Sequence, residues 1–318
     1  MALFKSKKIQ SLIIAIIVLV VGIWLFQNNY LKLSVFQKKI DQSASTNLMD
    51  KETAYLEKID NFIIKEYSEN QVLLHTIKAD TYYSYKNSPI QLLKVEVKTF
   101  NESGQEGIIL TSNRAEMLKS GEIFFNGEVN IKTKSGISHE LDTESLIVLT
   151  NTGKIKSNKK ITYLGENSKI NAQEMEMDID SNTMFLKGAV QILQASDVKV
   201  DTTNLFIRHS NGQKKYNSKS KTSYQSTDNR VNSEKGFDMD ANQNLMNLFG
   251  QVEILNVSGS KINTSNLIVD RSNGDEFFKS NEPSHFQSSN IDIKSKQMHY
   301  DASTKKLELK GKVFAVYE

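Results

Sequence analysis

One short strand is written four times in this chain of 318 residues. The copies run Ile123–Ile131, Met184–Ile192, Met246–Ile254 and Leu307–Ala315, and their glycines, Gly127, Gly188, Gly250 and Gly311, stand 61, 62 and 61 positions apart. In each copy the alternate positions are apolar, apolar, Gly, Val, apolar. Successive side chains of a pleated strand point to opposite sides, so this alternation predicts a strand with one apolar face. The glycine is expected on that same face, where a missing side chain leaves room for a neighbour or a ligand. A fixed period over most of the chain predicts a repeat protein, in which units stack to bury a face that none could bury alone.

Three further phrases keep the period. One places a small residue after an apolar one, at Leu110-Thr111-Ser112, Ile170-Asn171-Ala172, Val231-Asn232-Ser233 and Ile293-Lys294-Ser295. Another follows each internal glycine strand, at Asp142-Thr143, Asp201-Thr202 and Asn263-Thr264. Its side chains are expected to cap backbone groups at turns and strand entries. A third centres on Ser157, Ser218 and Ser280. Each unit therefore carries about four short strands with no helical segment between them, which predicts an all-β, antiparallel, elongated stack. Four such units give about sixteen strands, or about eight in each of two opposed sheets, with an apolar interior about 40 Å long.

The last strand, Lys306 to Tyr317, runs almost to Glu318, and if the sheet ends there it presents an unpaired edge. An unpaired edge invites strand addition, so Leu309, Gly311, Val313 and Ala315 are the expected docking edge for a partner.

At the other end, residues 1–8 are basic and 9–27 hold an uncharged apolar run. The 18 residues Ile9–Phe26 would span about 27 Å as a helix, close to a bilayer core. Lys5, Lys7 and Lys8 predict that the N-terminal side faces the cytoplasm. No small-residue cleavage site follows, which predicts an uncleaved single-pass anchor. Residues 28–60 read as a connector in which Thr53–Ile59 could form broken helix.

No cofactor, metal or catalytic residue is expected. The chain has no cysteine, which removes disulfides, thiol catalysis and cysteine metal sites. Its five histidines, His75, His139, His209, His285 and His299, share no metal-ligand spacing. Net charge is +3 with both signs interspersed, which argues against nucleic acid. Two basic clusters, Lys154, Lys156, Lys159 and Lys160, and Lys214, Lys215, Lys219 and Lys221, lie one period apart. They could meet anionic headgroups or simply discourage aggregation at strand edges. The candidate binding surface is the apolar face of the glycine strands: Ile123, Phe125, Val129, Ile131, Leu186, Val190, Ile192, Leu248, Val252 and Ile254. These residues leave two readings open: a lipid-facing interior, or the packed core of a membrane-anchored structural or adhesion protein.

Taken in order, several features resemble the LptC family of lipopolysaccharide-export proteins, with OstA/LptA-like repeats. They are the N-terminal anchor, Ile77-Lys78-Ala79-Asp80, Ile108-Ile109-Leu110-Thr111-Ser112 with Ala115, and Gly127-Glu128-Val129. Leu141-Asp142-Thr143-Glu144-Ser145-Leu146, Ile170-Asn171-Ala172 and Leu186-Lys187-Gly188-Ala189-Val190 complete the set. The resemblance covers about residues 1–193. It implies a twisted β-jelly roll in the periplasm, held by one inner-membrane helix. It also implies passage of lipopolysaccharide from an inner-membrane ABC transporter along an apolar groove to LptA, without catalysis. Residues 61–193 would be the LptC-like jelly roll, and 194–318 an LptA/OstA-like extension whose edge meets an LptA-like or outer-membrane translocon jelly roll.

Overall fold

The computed structural model describes residues 55–317, apart from short segments at 69, 102, 135–138, 150–151, 166, 179–180, 195–196 and 211–212. The expected cytoplasmic segment 1–8, the anchor 9–27 and the connector up to residue 54 lie outside the described residues. No helix among the described residues is long and apolar enough to cross a membrane.

The described residues form 24 strands in one antiparallel sheet. Six long strands open it: β1 (Glu57–Tyr67), β2 (Leu73–Ser84), β3 (Ile90–Phe100), β4 (Glu106–Met117), β5 (Glu122–Thr133) and β6 (Glu140–Leu149). Four short ones follow: β7 (Lys154–Ser157), β8 (Ile161–Leu164), β9 (Ser168–Ala172) and β10 (Glu174–Asp178). The pattern of two long and four short strands then returns. It appears as β11 (Thr183–Gln194), β12 (Lys199–Ser210), β13 (Gln213–Ser218), β14 (Thr222–Gln225), β15 (Asn229–Ser233) and β16 (Phe237–Asp240). It returns once more as β17 (Leu245–Asn256), β18 (Lys261–Asp270), β19 (Phe277–Ser280), β20 (Ser284–Gln287), β21 (Ile291–Ser295) and β22 (Gln297–Asp301). The sheet closes on β23 (Lys306–Lys310) and β24 (Phe314–Tyr317). Strand β1 begins inside the span expected as connector, where a broken helix is expected; its Ile59, Phe62 and Ile64 pack on the core instead, at strand spacing.

The pairings show that the short strands are halves of longer ones. β7 pairs with the C-terminal half of β6 and β8 with its N-terminal half, while β10 continues from β7 and β9 from β8 on to opposite halves of β11. The same split recurs around β12 and β18. Ten strands run unbroken and fourteen join end to end as seven bent rows, so the sheet is a meander of seventeen rows. The breaks in the seven split rows line up with bends in the long strands, forming one crease. Positive φ marks it at Asn61, Lys94, Gly127, Gly188, Asn204, Gly236, Gly250, Asn266 and Gly311. The sheet is thus folded lengthwise into two walls. The first wall carries β7, β10, β13, β16, β19, β22 and β23; the second carries β8, β9, β14, β15, β20, β21 and β24.

This corrects the expected size. The two opposed layers are two halves of one sheet rather than two sheets sharing the strands, so every row contributes to both. Seventeen rows at about 4.8 Å extend about 75 Å, roughly twice the expected interior. The four-row repeat itself agrees with the sequence period.

The crease also corrects the expected role of the glycines. Gly127, Gly188 and Gly250 each sit in a β-bulge where the register slips, as between Leu186 and Ala189 of β11 opposite Leu205 and Thr203 of β12, and Gly311 stands in the break between β23 and β24. Gly188 has φ +74°, and a Cβ there would lie 1.9 Å from Oε1 and 3.0 Å from Cβ of Gln173, an exposed residue. The glycine therefore faces outward and leaves no room inside; its use is to let the backbone turn the corner. Asn204 answers it from the neighbouring row, its Oδ1 accepting from the Gly188 N–H at 2.9 Å. Gly188→Ala is expected to cost about 2 kcal/mol, and Gly259→Ala, at φ +88° with nothing within 4 Å, about 1 kcal/mol, read as urea midpoints.

Hydroxyls line the inside of the crease. Thr143 contacts Ser157 at 2.9 Å and donates to the Lys160 carbonyl at 3.0 Å. Thr202 contacts Ser218 at 2.9 Å and Thr222 at 3.0 Å, and Thr264 donates to Ser280 at 2.9 Å. The recurring threonines and serines, all buried, therefore meet one another. They serve backbone groups that the bend takes out of the ladder. The small residues Ser112, Ala172, Ser233 and Ser295 fill the remaining corner positions and are 3–7% exposed.

A candidate lipid-binding interior and its polar rim

The ten candidate interior residues share one surface. Alternation sends Phe125, Leu186 and Leu248 inward before the bulge, and Val129, Val190 and Val252 inward after it. Nine of the ten are 2% exposed or less and belong to one continuous cluster, on which the half-buried Ile131 packs. That cluster runs from Ile77 in β2 to Tyr300 in β22. The walls close on each other across it: Phe62 stacks on Tyr82 at 4.8 Å, and Tyr224 meets Phe278 edge-on at 6.3 Å. A small void of about 10 Å³ remains between Ile90, Leu92, Val95, Ala115, Met117, Ile123 and Phe125. A shallow hollow of about 620 Å³ lies on the polar outer surface of the second wall, between Asp201, Lys221, Asn232, Glu253 and Asn263.

Opposite the crease, the rims of the walls meet through polar groups that motif reasoning did not single out. Tyr163, on the second wall, contacts His139 Nδ1 at 2.8 Å through its hydroxyl. The Lys214 ammonium crosses from the first wall to lie 5.2 Å from the Tyr163 ring and 5.4 Å from that of Tyr216. Burial pushes the Tyr163 phenol up to about 12 and lowers Lys214 below the usual lysine range. One period on, the Glu276 carboxylate on the first rim is the acceptor for a second-rim cluster. It accepts from the Tyr224 hydroxyl, from Ser226 Oγ at 2.8 Å and from Asn229 Nδ2 at 3.3 Å. Asn256 then donates across the gap to the Tyr300 hydroxyl at 3.2 Å. A periodic signal existed for part of this: Tyr163, Tyr224 and Phe286 occupy equivalent places in β8, β14 and β20.

At the β1 end the rim is different. Glu66, His75 and Thr99 lie directly opposite one another on β1, β2 and β3. His75 is 4% exposed, and neither ring nitrogen has a hydrogen-bond partner among the described residues. Burial holds its imidazole down at about 4. Between that value and about 6.5 the unfolded chain binds a proton that the folded chain does not, so stability falls as pH falls through this window. Glu66 works the other way, because burial raises its carboxyl and acidification relieves the cost of its charge. His75→Leu is therefore expected to flatten the loss of melting temperature between pH 6.5 and 4.5, seen as the difference between the two curves.

The basic clusters divide. Lys154 and Lys156 face outward and reach Glu176 at 3.9 and 3.8 Å, pairs that contribute little in solvent. Lys159, Lys160, Lys215, Lys219 and Lys221 are exposed, and Lys214 alone of the eight is turned into the rim. Neither cluster lies on an edge strand.

Among the described residues the sheet ends at β1 on one side and at the β23–β24 row on the other. Leu309 packs on the core, and Gly311 forms the crease that splits the expected last strand in two. Val313 is 52% exposed and Ala315 is exposed too, as are Phe314 and Tyr317. Such an edge, apolar and free of lysine over β24, lacks the usual protection against pairing.

No curated protein sequence matches the chain. A family model does, twice: the one described as lipopolysaccharide-assembly, LptC-related, matches residues 12–195 and again 197–318. The two matches meet at residue 196. They divide a sheet whose folding pattern continues from one into the other, with the apolar interior and polar rim common to both. The chain belongs to the LptC-related family of lipopolysaccharide-assembly proteins, and its role lies in lipopolysaccharide transport.

Proposed function

We propose that the protein is a membrane-anchored periplasmic bridge that carries lipopolysaccharide away from an inner-membrane ABC transporter. The acyl chains lie between the two walls and the polar part of the lipid follows the rim. The observation that carries this reading is the single apolar interior running unbroken through the rows, bordered along one side by polar groups. An amphiphile needs that division. The anchor at 9–27 would hold the β1 end near the inner membrane, and β24 would receive an LptA-like or outer-membrane jelly roll by strand addition. The double family match supports reading 194–318 as a second export unit in tandem with the first.

A second reading, a structural protein with a packed interior, is favoured by the depth of burial of Phe125, Leu186 and Leu248, each 1% exposed or less. Lipid could enter such an interior only by parting the walls at the rim. Photo-crosslinking residues at 125, 186 and 248 in the full chain in cells separate the two readings. Lipopolysaccharide adducts are expected at all three, and adducts to protein alone would favour the packed core. For the edge, replacing Val313 and Ala315 with proline is expected to abolish capture of the partner jelly roll while the protein stays membrane-bound. Unchanged capture would remove β24 as the docking strand.

A further inference from the structure

Among the described residues, the rim tyrosines have partners and His75 has none. Tyr163 has His139, Tyr224 has Glu276, and Tyr300 has Asn256. His75 is the only side chain among the described residues with two buried polar atoms that lack a hydrogen bond. Leaving a buried donor or acceptor unmade costs about 1–3 kcal/mol, so such a group in a folded protein calls for an explanation. Its surroundings narrow the choice. His75 shares the inward face of β2 with Ile77 and Ala79, both buried, so whatever meets it reaches it through apolar surface. Glu66 and Thr99 flank it in register, and Thr99 Oγ1 already accepts the Ile108 N–H at 3.0 Å.

A neutral imidazole presents one N–H and one lone pair. Its best complement is a group that both donates and accepts. A hydroxyl does so; a phosphate or carboxylate at neutral pH only accepts, and would stand beside the Glu66 carboxyl. We propose that Glu66, His75 and Thr99 form a hydrogen-bonding station for a neutral hydroxyl on the acyl part of the bound lipid, at the β1 end of the interior. The station fixes the depth at which a chain enters, because a chain without the hydroxyl leaves both imidazole nitrogens unpaired. The inference rests on the reading of the interior as a lipid site.

The test uses the full chain in detergent and two probes, methyl 3-hydroxytetradecanoate and methyl tetradecanoate. The hydroxylated ester is expected to bind about fivefold more tightly, the worth of one net hydrogen bond. It alone should shift the His75 imidazole ¹⁵N resonances. His75→Leu should keep the affinity for the plain ester and lose the preference; His75→Gln, which retains a donor and an acceptor, should recover part of it. Equal affinities in the wild type, or a preference that survives in His75→Leu, would overturn the station while leaving the lipid interior standing. Failure of both esters to bind would overturn both. Tighter binding of tetradecyl phosphate than of either ester, lost in His75→Leu, would overturn the neutral-hydroxyl assignment.

Discussion

Glu276→Ala lowers the stability of the folded sheet by about 3 kcal/mol, and the loss appears first at the rim. Its carboxylate is 11% exposed and takes hydrogen bonds from Tyr224, Ser226 and Asn229 of the opposite wall, with Arg271 Nε at 3.9 Å. Removing it leaves three donors facing a space that water enters poorly, and each buried donor without a partner costs about 1 kcal/mol. Glu276→Gln keeps the volume and one acceptor, so about half the effect is expected. The measurement is the urea midpoint at constant m-value, together with amide exchange. The turns around 226–229 and 271–276 should lose protection while the crease strands of the same rows keep theirs. Lys58→Ala, whose partner Asp60 is exposed, should leave the midpoint unmoved. If Glu276→Ala behaved like Lys58→Ala, the rim would be a passive contact and not a clasp between the walls.

Phe278→Ala costs about 4 kcal/mol, and the cost is local. The ring is 0% exposed, stacks on Tyr300 at 5.9 Å and meets Tyr224 of the other wall edge-on at 6.3 Å. Its loss removes a large buried side chain and leaves a cavity between walls that the crease keeps from collapsing. Rows contact mainly their neighbours, so stability in such a sheet is close to a sum over adjacent units. Amide exchange should rise in β19, β20 and β22 and stay unchanged in β2 to β5. Phe125→Ala should show the reverse. A uniform rise along the whole sheet in both variants would mean that the seventeen rows unfold as one cooperative unit.

The four recurrent phrases show how far the sequence could be read. Alternation placed Phe125, Leu186 and Leu248 on one face, and all three are buried in one cluster. The threonine and serine phrases look unrelated on paper, at Thr202 and Ser218, yet the structure brings them to 2.9 Å. The glycines were harder. A period-two count puts Gly188 on the apolar face, but a bulge adds a residue and breaks the count. The residue then faces Gln173 on the outside. Half-strands such as β13 and β14 read as two strands of two sheets, because a corner within a row and a hairpin between rows both appear as a short polar break.

The candidate site divides the same way. Its apolar residues were legible because every one repeats at the period of the unit. Glu276, Lys214 and His75 were not, because each is a single polar residue whose importance depends on what stands across the rim. The sequence alone determined an antiparallel all-β repeat, its four-row unit and the inward face of each strand, since these follow from local alternation and a constant period. The tertiary structure decided that the rows fold along one crease, that the resulting walls meet at a clasped rim, and that His75 has no answering group there among the described residues. Those are contacts between residues about 50 positions apart, as for Glu276 with Tyr224 and Ser226. No local pattern encodes them; only the fold back across the crease brings them together.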